Sequence, residues 1–456
     1  MEHQMEELQR YQKLLETSRS WATSSKVALG HVPLVWWEAK QSLTEGTAAL
    51  PQYALMGHNS DDESKNPVLL NTNSPWSMFL CGSQGSGKSH TLSCILENCL
   101  LTDEEIGKNP NPLAGVVFHY NRSQSGEVCE AAYLCSSLKT RVRVLVSRSN
   151  YKGLERRYKD LAEKVEGNIK VMPLDLRPSH LNVERMQVLM AVGKEGDLFL
   201  YMNVLMSILR NMAIANEGIG KFNYGEFATK LAEAGLTDMQ SGPMNMRLDL
   251  LESYVDVPPR PIVSRSKSGK ITTRPRDHFP RLSEDKPDYL EGESGVLTII
   301  DLTDPFTSCG KIIALDEAHN YMTTDNAAAL QFTQRLLKTI REQRHQGTRV
   351  VIATQEPSIN TSLIDLCNIT MVHRCTSPAW FTVLKGHLAA LKGRNDQDVF
   401  EEIVRLKTGE SLLFCPTAAT GYEDKKIVSV DMNYVKFRTR KRITKDGGKS
   451  KLAYGS

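Results

Sequence analysis

The sequence predicts an α/β protein with a mainly parallel sheet, and three observations carry that reading. Gly82-Ser83-Gln84-Gly85-Ser86-Gly87-Lys88-Ser89 fits G-x-x-x-x-G-K-[ST] at every fixed position, between a short apolar run, 76–80, and a helical pattern from Thr91 onward. Short β-rich runs alternate with helical patterns, the order that builds parallel sheets. Lys311-Ile312-Ile313-Ala314-Leu315-Asp316-Glu317 is an apolar run that ends in two acids.

Taken in order, residues 1–20 read as a polar helix, with Leu8, Tyr11, Leu14 and Leu15 at helical spacing, and 32–37 as a short strand. Residues 56–75 are rich in Asn, Asp, Ser and Pro and read as a loop, so 1–74 is expected to be a helical or irregular N-terminal region. The first part of the core spans 75–181, with strands at 78–81, 115–120, 142–146 and 169–174 and helices at 89–101 and 127–138. Residues 182–255 carry Met- and Leu-rich helical patterns over 183–192, 199–215, 222–234 and 244–254. They read as a helical insertion whose methionines fill a core. Prolines and basic residues crowd 256–290, the composition of a flexible basic loop. The second part of the core, 291–420, holds a strand at 295–301, the acid-ending strand, a helix at 325–346 and strands at 348–355, 369–374 and 411–415. Residues 421–456 read as a basic C-terminal tail.

The bulk numbers narrow the function classes. A chain of 456 residues is long enough for about two to four domains. A net charge of +3 is too small to argue for nucleic-acid binding by the whole chain, but 435–451 and 260–281 are locally basic. Either stretch is a phosphate-backbone contact or a solvated segment. The run Arg438-Thr439-Arg440-Lys441-Arg442 also has the composition of a nuclear import signal, so the expected location is cytoplasmic or nuclear. No apolar run approaches ~18 residues, so no membrane-spanning helix is expected. The acidic start, Met1 to Glu7, lacks the layout of a signal peptide. Nine cysteines without a C-x-x-C pair give neither a zinc site nor a disulfide framework, and point to a reducing interior.

The chemistry follows from the loop. Glycines let the backbone curl with its N–H groups turned inward, forming an anion nest, and the next helix adds its positive end. The nucleotide-binding set is therefore Gly82 to His90, with Lys88 reaching the β- and γ-phosphates and Ser89 holding Mg²⁺. Asp316, at a strand end, can hold Mg²⁺ directly or through water, and Glu317 is placed to polarise an attacking water. Gln355 ends the strand that follows and can reach the γ-phosphate or the water. The bland alternatives are a Gly/Ser loop that binds nothing, a surface strand end and a turn residue. The full loop match, with an acid pair downstream, disfavours the first two.

Asp316-Glu317-Ala318-His319-Asn320-Tyr321, Ile340 to Gly347, Ala353-Thr354-Gln355-Glu356-Pro357 and Lys407-Thr408-Gly409-Glu410-Ser411 together resemble the HerA/FtsK superfamily of P-loop ATPases, over roughly 75–420. The nearest likeness is to fungal P-loop proteins of HerA-like type, whose tails resemble Arg440 to Ser450. The resemblance implies a RecA-like core with an additional strand, Mg²⁺-dependent ATP hydrolysis and a homo-oligomer, often a ring, that moves DNA or protein. It gives Lys88, Ser89, Asp316, Glu317 and Gln355 their family roles. It also makes Arg344 a candidate finger for a neighbour's nucleotide, with Arg341 and Arg374 as competitors.

Two departures stand out. The family's acidic motif after the second strand is replaced by His119-Tyr120-Asn121-Arg122. Only Leu302 to Lys311 separate two strands expected to be parallel, where parallel neighbours need a crossover of about a dozen residues. The expectation is a missing helix-coding segment, or a different routing that leaves the first strand outside the sheet. The alternative function is then a nucleotide-binding switch or a catalytically impaired scaffold. Asp316-Glu317-Ala318-His319 also spells the DEAH box, but no Ser-Ala-Thr and no Gln-x-x-Gly-Arg-x-Gly-Arg motif follows, and too little chain follows residue 360 for a second RecA-like domain.

Overall fold

The centre of the molecule is a block of parallel strands whose residues are buried on both faces, which is why they read as unbroken apolar runs. The computed structural model describes residues 30–42, 50–119, 128–137, 140–146, 151–177, 180–181, 186, 200–215, 222–234, 244–245, 248–249, 251–252, 255, 262–265, 271–274, 288–290, 292–301, 311–320, 322, 327–343, 347–356, 359–423 and 426–445. The chain begins with β1 (Leu34–Trp36), α1 (Trp37–Ser42), β2 (Tyr53–Asn59) and β3 (Pro67–Asn71). Next come β4 (Ser77–Cys81), α2 (Lys88–Leu100), β5 (Gly107–Lys108), β6 (Ala114–His119), a 3₁₀ turn (Glu130–Ser136), β7 (Arg141–Val146), α3 (Tyr151–Lys164) and β8 (Ile169–Pro173). Helices α4 (Leu200–Ala215) and α5 (Tyr224–Glu233) precede a two-stranded pair, β9 (Ile262–Arg265) and β10 (Ile271–Arg274). Then follow β11 (Val296–Asp301), β12 (Lys311–Leu315), α6 (Ala327–Arg341), β13 (Thr348–Thr354), α7 (Ser362–Leu366), β14 (Ile369–His373), α8 (Pro378–His387) and α9 (Asp396–Arg405). The described chain ends through β15 (Glu410–Phe414), β16 (Ala419–Glu423), β17 (Lys426–Ser429) and β18 (Val435–Thr439).

Among the described residues, β14, β4, β13, β12, β6, β11, β7 and β8 pair in that order, all parallel. Strand β13 thus lies between β4, which leads into the glycine loop, and β12, which ends in the two acids. This is the mainly parallel sheet that the sequence predicts. Alternate side chains supply two cores. Met78, Leu80, Val117, Val351 and Ala353 pack with Leu92, Ile95 and Leu96 of α2 on one face. Phe79, Phe118, Leu315, Val350 and Ile352 pack with Leu205 and Leu209 of α4, Phe227 of α5, Leu336 of α6 and Trp380 of α8 on the other. The predicted helices at 199–215 and 222–234 therefore cover the second face. That at 183–192 lies largely outside the described residues and 1–20 entirely so, while the described part of 244–254 adds Met244, Leu248 and Leu251 to the same core.

Several expectations are corrected. Residues 56–75 are not a loop: they contain the end of β2 and all of β3. Both strands join the sheet through β18, which pairs antiparallel with β15 on one side and β2 on the other. Polar residues cluster in the turn around 59–66, but Val68, Leu69 and Leu70 are buried apolar residues, and burial of that face outweighs the local composition. The predicted helix 127–138 is the short 3₁₀ turn, and α3 has no counterpart among the predicted elements. The basic stretch at 260–281 contains the β9–β10 pair, where each strand opens on consecutive β-branched residues, Ile262-Val263 and Ile271-Thr272-Thr273. The C-terminal tail enters the sheet as β16, β17 and β18. Arg440 and Arg442 are turned inward, so they form neither a free phosphate contact nor an exposed import signal.

Strands β11 and β12 both lie in the sheet and both run parallel, with β6 between them. The expectation that the first lies outside the sheet is overturned. A return along five residues and across two strand positions spans about 20 Å, within the ~33 Å reach of the link through 302–310. The proposed missing helix falls on 302–310, outside the described residues. No helix among the described residues is long and apolar enough to cross a membrane.

Candidate active site

Parallel strands deliver their carboxyl ends to one edge of the sheet, and the loop, the acids and Gln355 all arrive there. The loop leaves β4 at Cys81 and closes onto α2. Two glycines are needed for space as well as for backbone angle. Gly82 has φ +148°, and a β-carbon there would sit 2.7 Å from Cβ of His373. Gly87 has φ +101°, and its β-carbon would sit 2.8 Å from the Gly409 nitrogen. Two neighbouring segments hold the loop in shape. Ser83 N–H donates to the Arg374 carbonyl at 2.8 Å, after β14, and Gly409 N–H donates to the Ser86 carbonyl at 3.3 Å, before β15. Gln84 and Gly85 form the exposed tip, Ser86 and Lys88 are buried, and Ser89 is half-buried.

Lys88 Nζ donates to the Ser83 carbonyl at 2.9 Å, which folds the ammonium across its own loop. Burial pushes its pKa down, while the charges of Glu317 and Asp316 act in the opposite sense. Asp316 is buried and its Oδ1 accepts from Glu317 N–H at 3.0 Å. Burial, reinforced by the Glu317 charge, pushes the Asp316 carboxyl up to about 7. Glu317 has φ +49°, a left-handed conformation costing on the order of 1–3 kcal/mol in a non-glycine residue and common at functional sites. The kink ends β12 and aims the carboxylate toward β13. There Gln355 Nε2 donates to Glu317 Oε1, and His319 Nδ1 lies 3.5 Å from Glu317 Oε2.

The three strands are adjacent, so the loop strand and the acid strand stand about 10 Å apart with the Gln355 strand between them. That spacing sets a glycine-rich loop facing a carboxylate pair across a polar amide. Mg²⁺ fits the residues present: the Ser89 hydroxyl and the Asp316 carboxylate are hard oxygen donors, and the buried Asp316 stands beside a second acid, Glu317.

The structure brings Gly82 to Ser89, Asp316, Glu317 and Gln355 to one edge. His90 is turned elsewhere: its Nε2 donates to the Arg440 carbonyl at 2.8 Å. Arg344 lies outside the described residues. Arg341 is exposed on the last turn of α6, and Arg374 is exposed beside the loop. Four neighbours were not assigned to the site from sequence: His373, Gly409, His319 and Trp380. Gly409 carried a signal, since it sits in the Thr408-Gly409-Glu410 motif. Trp380 carried none, because its link to Gln355 spans 25 residues and follows only from the packing of α8.

The chain is similar to several solved structures. VirB4 of Thermoanaerobacter pseudethanolicus aligns at 11% identity and a TM-score of 0.42, over 86% of this chain and 97% of that one. The genome packaging NTPase B204 of Sulfolobus turreted icosahedral virus 2, solved with ATP-γS, aligns at 9% identity and a TM-score of 0.27, over 75% and 92%. The cytoplasmic domain of the type VII secretion ATPase EccC from Thermomonospora curvata aligns at 12% identity and a TM-score of 0.29, over 86% and 26%. No family model matches the chain, and no curated protein does.

Proposed function

We propose that the protein hydrolyses ATP. The observation that carries this reading is the convergence of the glycine loop with Lys88, the Asp316-Glu317 pair and Gln355 on the carboxyl ends of β4, β12 and β13. In this reading the loop N–H groups and Lys88 hold the β- and γ-phosphates. Glu317 orients the attacking water, and Gln355 contacts the γ-phosphate. Ser89 and Asp316 would hold Mg²⁺, which when bound supplies positive charge to the phosphate oxygens. Water attacks in line with the leaving β-phosphate oxygen, and Lys88 stabilises the charge that develops.

We further propose that the chain acts as a homo-oligomer, a ring in the simplest case, and moves DNA. The exposed loop tip and exposed Arg374 support access from a neighbouring copy. Arg438 and Lys441 remain at the surface for a phosphate backbone, whereas the Arg440 and Arg442 side chains do not. A second reading, a nucleotide-binding switch that turns over slowly without a partner, is favoured by the contact between Gln355 and Glu317, which occupies the water-orienting carboxylate.

The test is ATP hydrolysis by the full chain, with and without double-stranded DNA, beside Lys88→Ala and Glu317→Gln. Turnover should fall about 100-fold or more in each variant. Nucleotide binding should be lost in Lys88→Ala and kept in Glu317→Gln. Stimulation by DNA supports the motor. Tight binding with slow, unstimulated turnover supports the switch, and a folded wild type that neither binds nor hydrolyses ATP overturns both.

A further inference from the structure

Gln355 is held from behind. Its backbone carbonyl accepts from the Trp380 indole N–H at 2.8 Å, while its side-chain amide donates to Glu317. Trp380 is 3% exposed. Its ring meets Phe79 of the loop strand edge-on, with centroids 6.4 Å apart and planes at 65°. The helix that carries Trp380 is well fixed. Ser377 caps α8 by accepting from Trp380 N–H at 3.3 Å, and Pro378 occupies the first turn. One side chain therefore touches the strand that leads into the phosphate loop and the residue that ends the strand between loop and acids.

We propose that Trp380 is a positioning residue for hydrolysis: its indole N–H fixes the Gln355 peptide so that the amide stays in register with the Glu317 carboxylate. The proposal rests on the ATPase reading above. The physical argument is one of lever arms. Gln355 is the first residue past β13, so the strand ladder no longer fixes its peptide. A peptide that shifts carries its side-chain amide with it, and the indole bond to the peptide oxygen, beside the weaker 3.3 Å bond from Glu356 N–H to Thr354 Oγ1, holds that peptide unit where the position of the amide matters. Burial of the indole makes the bond one that water does not readily replace.

Trp380→Phe removes the N–H and keeps an aromatic ring against Phe79. The turnover number kcat should fall about three- to tenfold, the range one hydrogen bond of ordinary net strength commands, while KM and the dissociation constant for ATP-γS stay within about twofold. In a Gln355→Ala background the same substitution should lower kcat no further, because the residue acts through the Gln355 amide. Trp380→Phe that leaves kcat unchanged overturns the proposal. So does an effect that persists in full in the Gln355→Ala background, or one in which KM and thermal stability move together with kcat.

A second measurement does not need turnover. In protein labelled with 5-fluorotryptophan, the ¹⁹F resonance missing from Trp380→Phe identifies Trp380. That resonance should shift in Glu317→Gln, through Gln355. If wild type hydrolyses nothing and the resonance shifts, the ATPase reading fails and the link between the residues stands. If the resonance does not shift, the link itself is refuted.

Discussion

His373 sits at the end of β14, wholly buried, with the phosphate loop on one side and the turn before β15 on the other. Its ring Nδ1–H donates to the Glu410 carbonyl at 3.1 Å. Burial above all, and then the charge of Lys88, pushes its pKa down to about 3, against hydrogen bonds that favour the charged form. The folded protein keeps this imidazole neutral, whereas the unfolded chain takes up a proton below about 6.5. Stability from this residue is therefore complete above pH 6.5 and is lost as pH falls toward 3. At pH 5 the loss should be about 2 kcal/mol. Urea unfolding at pH 7 and pH 5 checks this: the wild type should lose about that much more than His373→Gln, and equal losses would show that His373 does not carry the term.

At the scale of elements, the stretch that follows β18 lies over α2, the helix that begins at Lys88. Glu97 of that helix is fully buried and accepts from Arg440 Nη1 at 2.8 Å, from the Thr444 and Ile443 N–H groups at 3.0 and 3.3 Å, and from the Thr444 hydroxyl. Arg442 lies 4.0 Å from the same carboxylate and pairs with Glu130 at 2.7 Å. Arg440 also donates to the Leu55 carbonyl at 2.8 Å and to Asn98 Oδ1 at 2.9 Å. Its own carbonyl receives His90, next to Ser89, and Thr439 meets Thr91 at 3.0 Å. This segment thus ties the first turn of α2 to β2 and to the 3₁₀ turn. Glu97→Ala would leave the buried Arg440 guanidinium without its acid, at a cost of about 3–5 kcal/mol. Equilibrium urea unfolding measures it, and a loss under 1 kcal/mol would mean that Arg440 finds another partner.

For the whole molecule, the sheet does not stop where the motifs do. Beyond β14 it continues antiparallel through β15, β18, β2, β3 and β1, and then through β16 and β17. The span that carries the family resemblance, 75–420, omits β18 and the strands on its far side, and it would expose the long edge of β15. Unpaired edges of this kind seed aggregation. Expressed alone, 75–420 should be insoluble or run as large aggregates on size-exclusion chromatography, while the full chain gives discrete species. A soluble, monodisperse fragment would show that the added strands are dispensable.

The loop, the parallel strands and the acid pair were legible in the sequence because their causes are local. Glycines at fixed spacing permit one backbone path, buried parallel strands read as unbroken apolar runs, and Asp316-Glu317 ends such a run. Gln355 was legible for the same reason. The polar neighbourhood of 56–75 hid β2 and β3, whose strand state comes from burial against partners far along the chain. The basic run 438–442 looked like a solvent-facing patch, yet Glu97, some 340 residues earlier, decides that Arg440 and Arg442 point inward. Trp380 and His373 belong to no local pattern at all. By itself, the sequence determined which backbone segments form the glycine loop and the parallel strands and which acids end the strand two places away. Only tertiary structure decided which side chains hold that loop still, because those contacts join residues that the chain keeps apart and the packing of the sheet brings together.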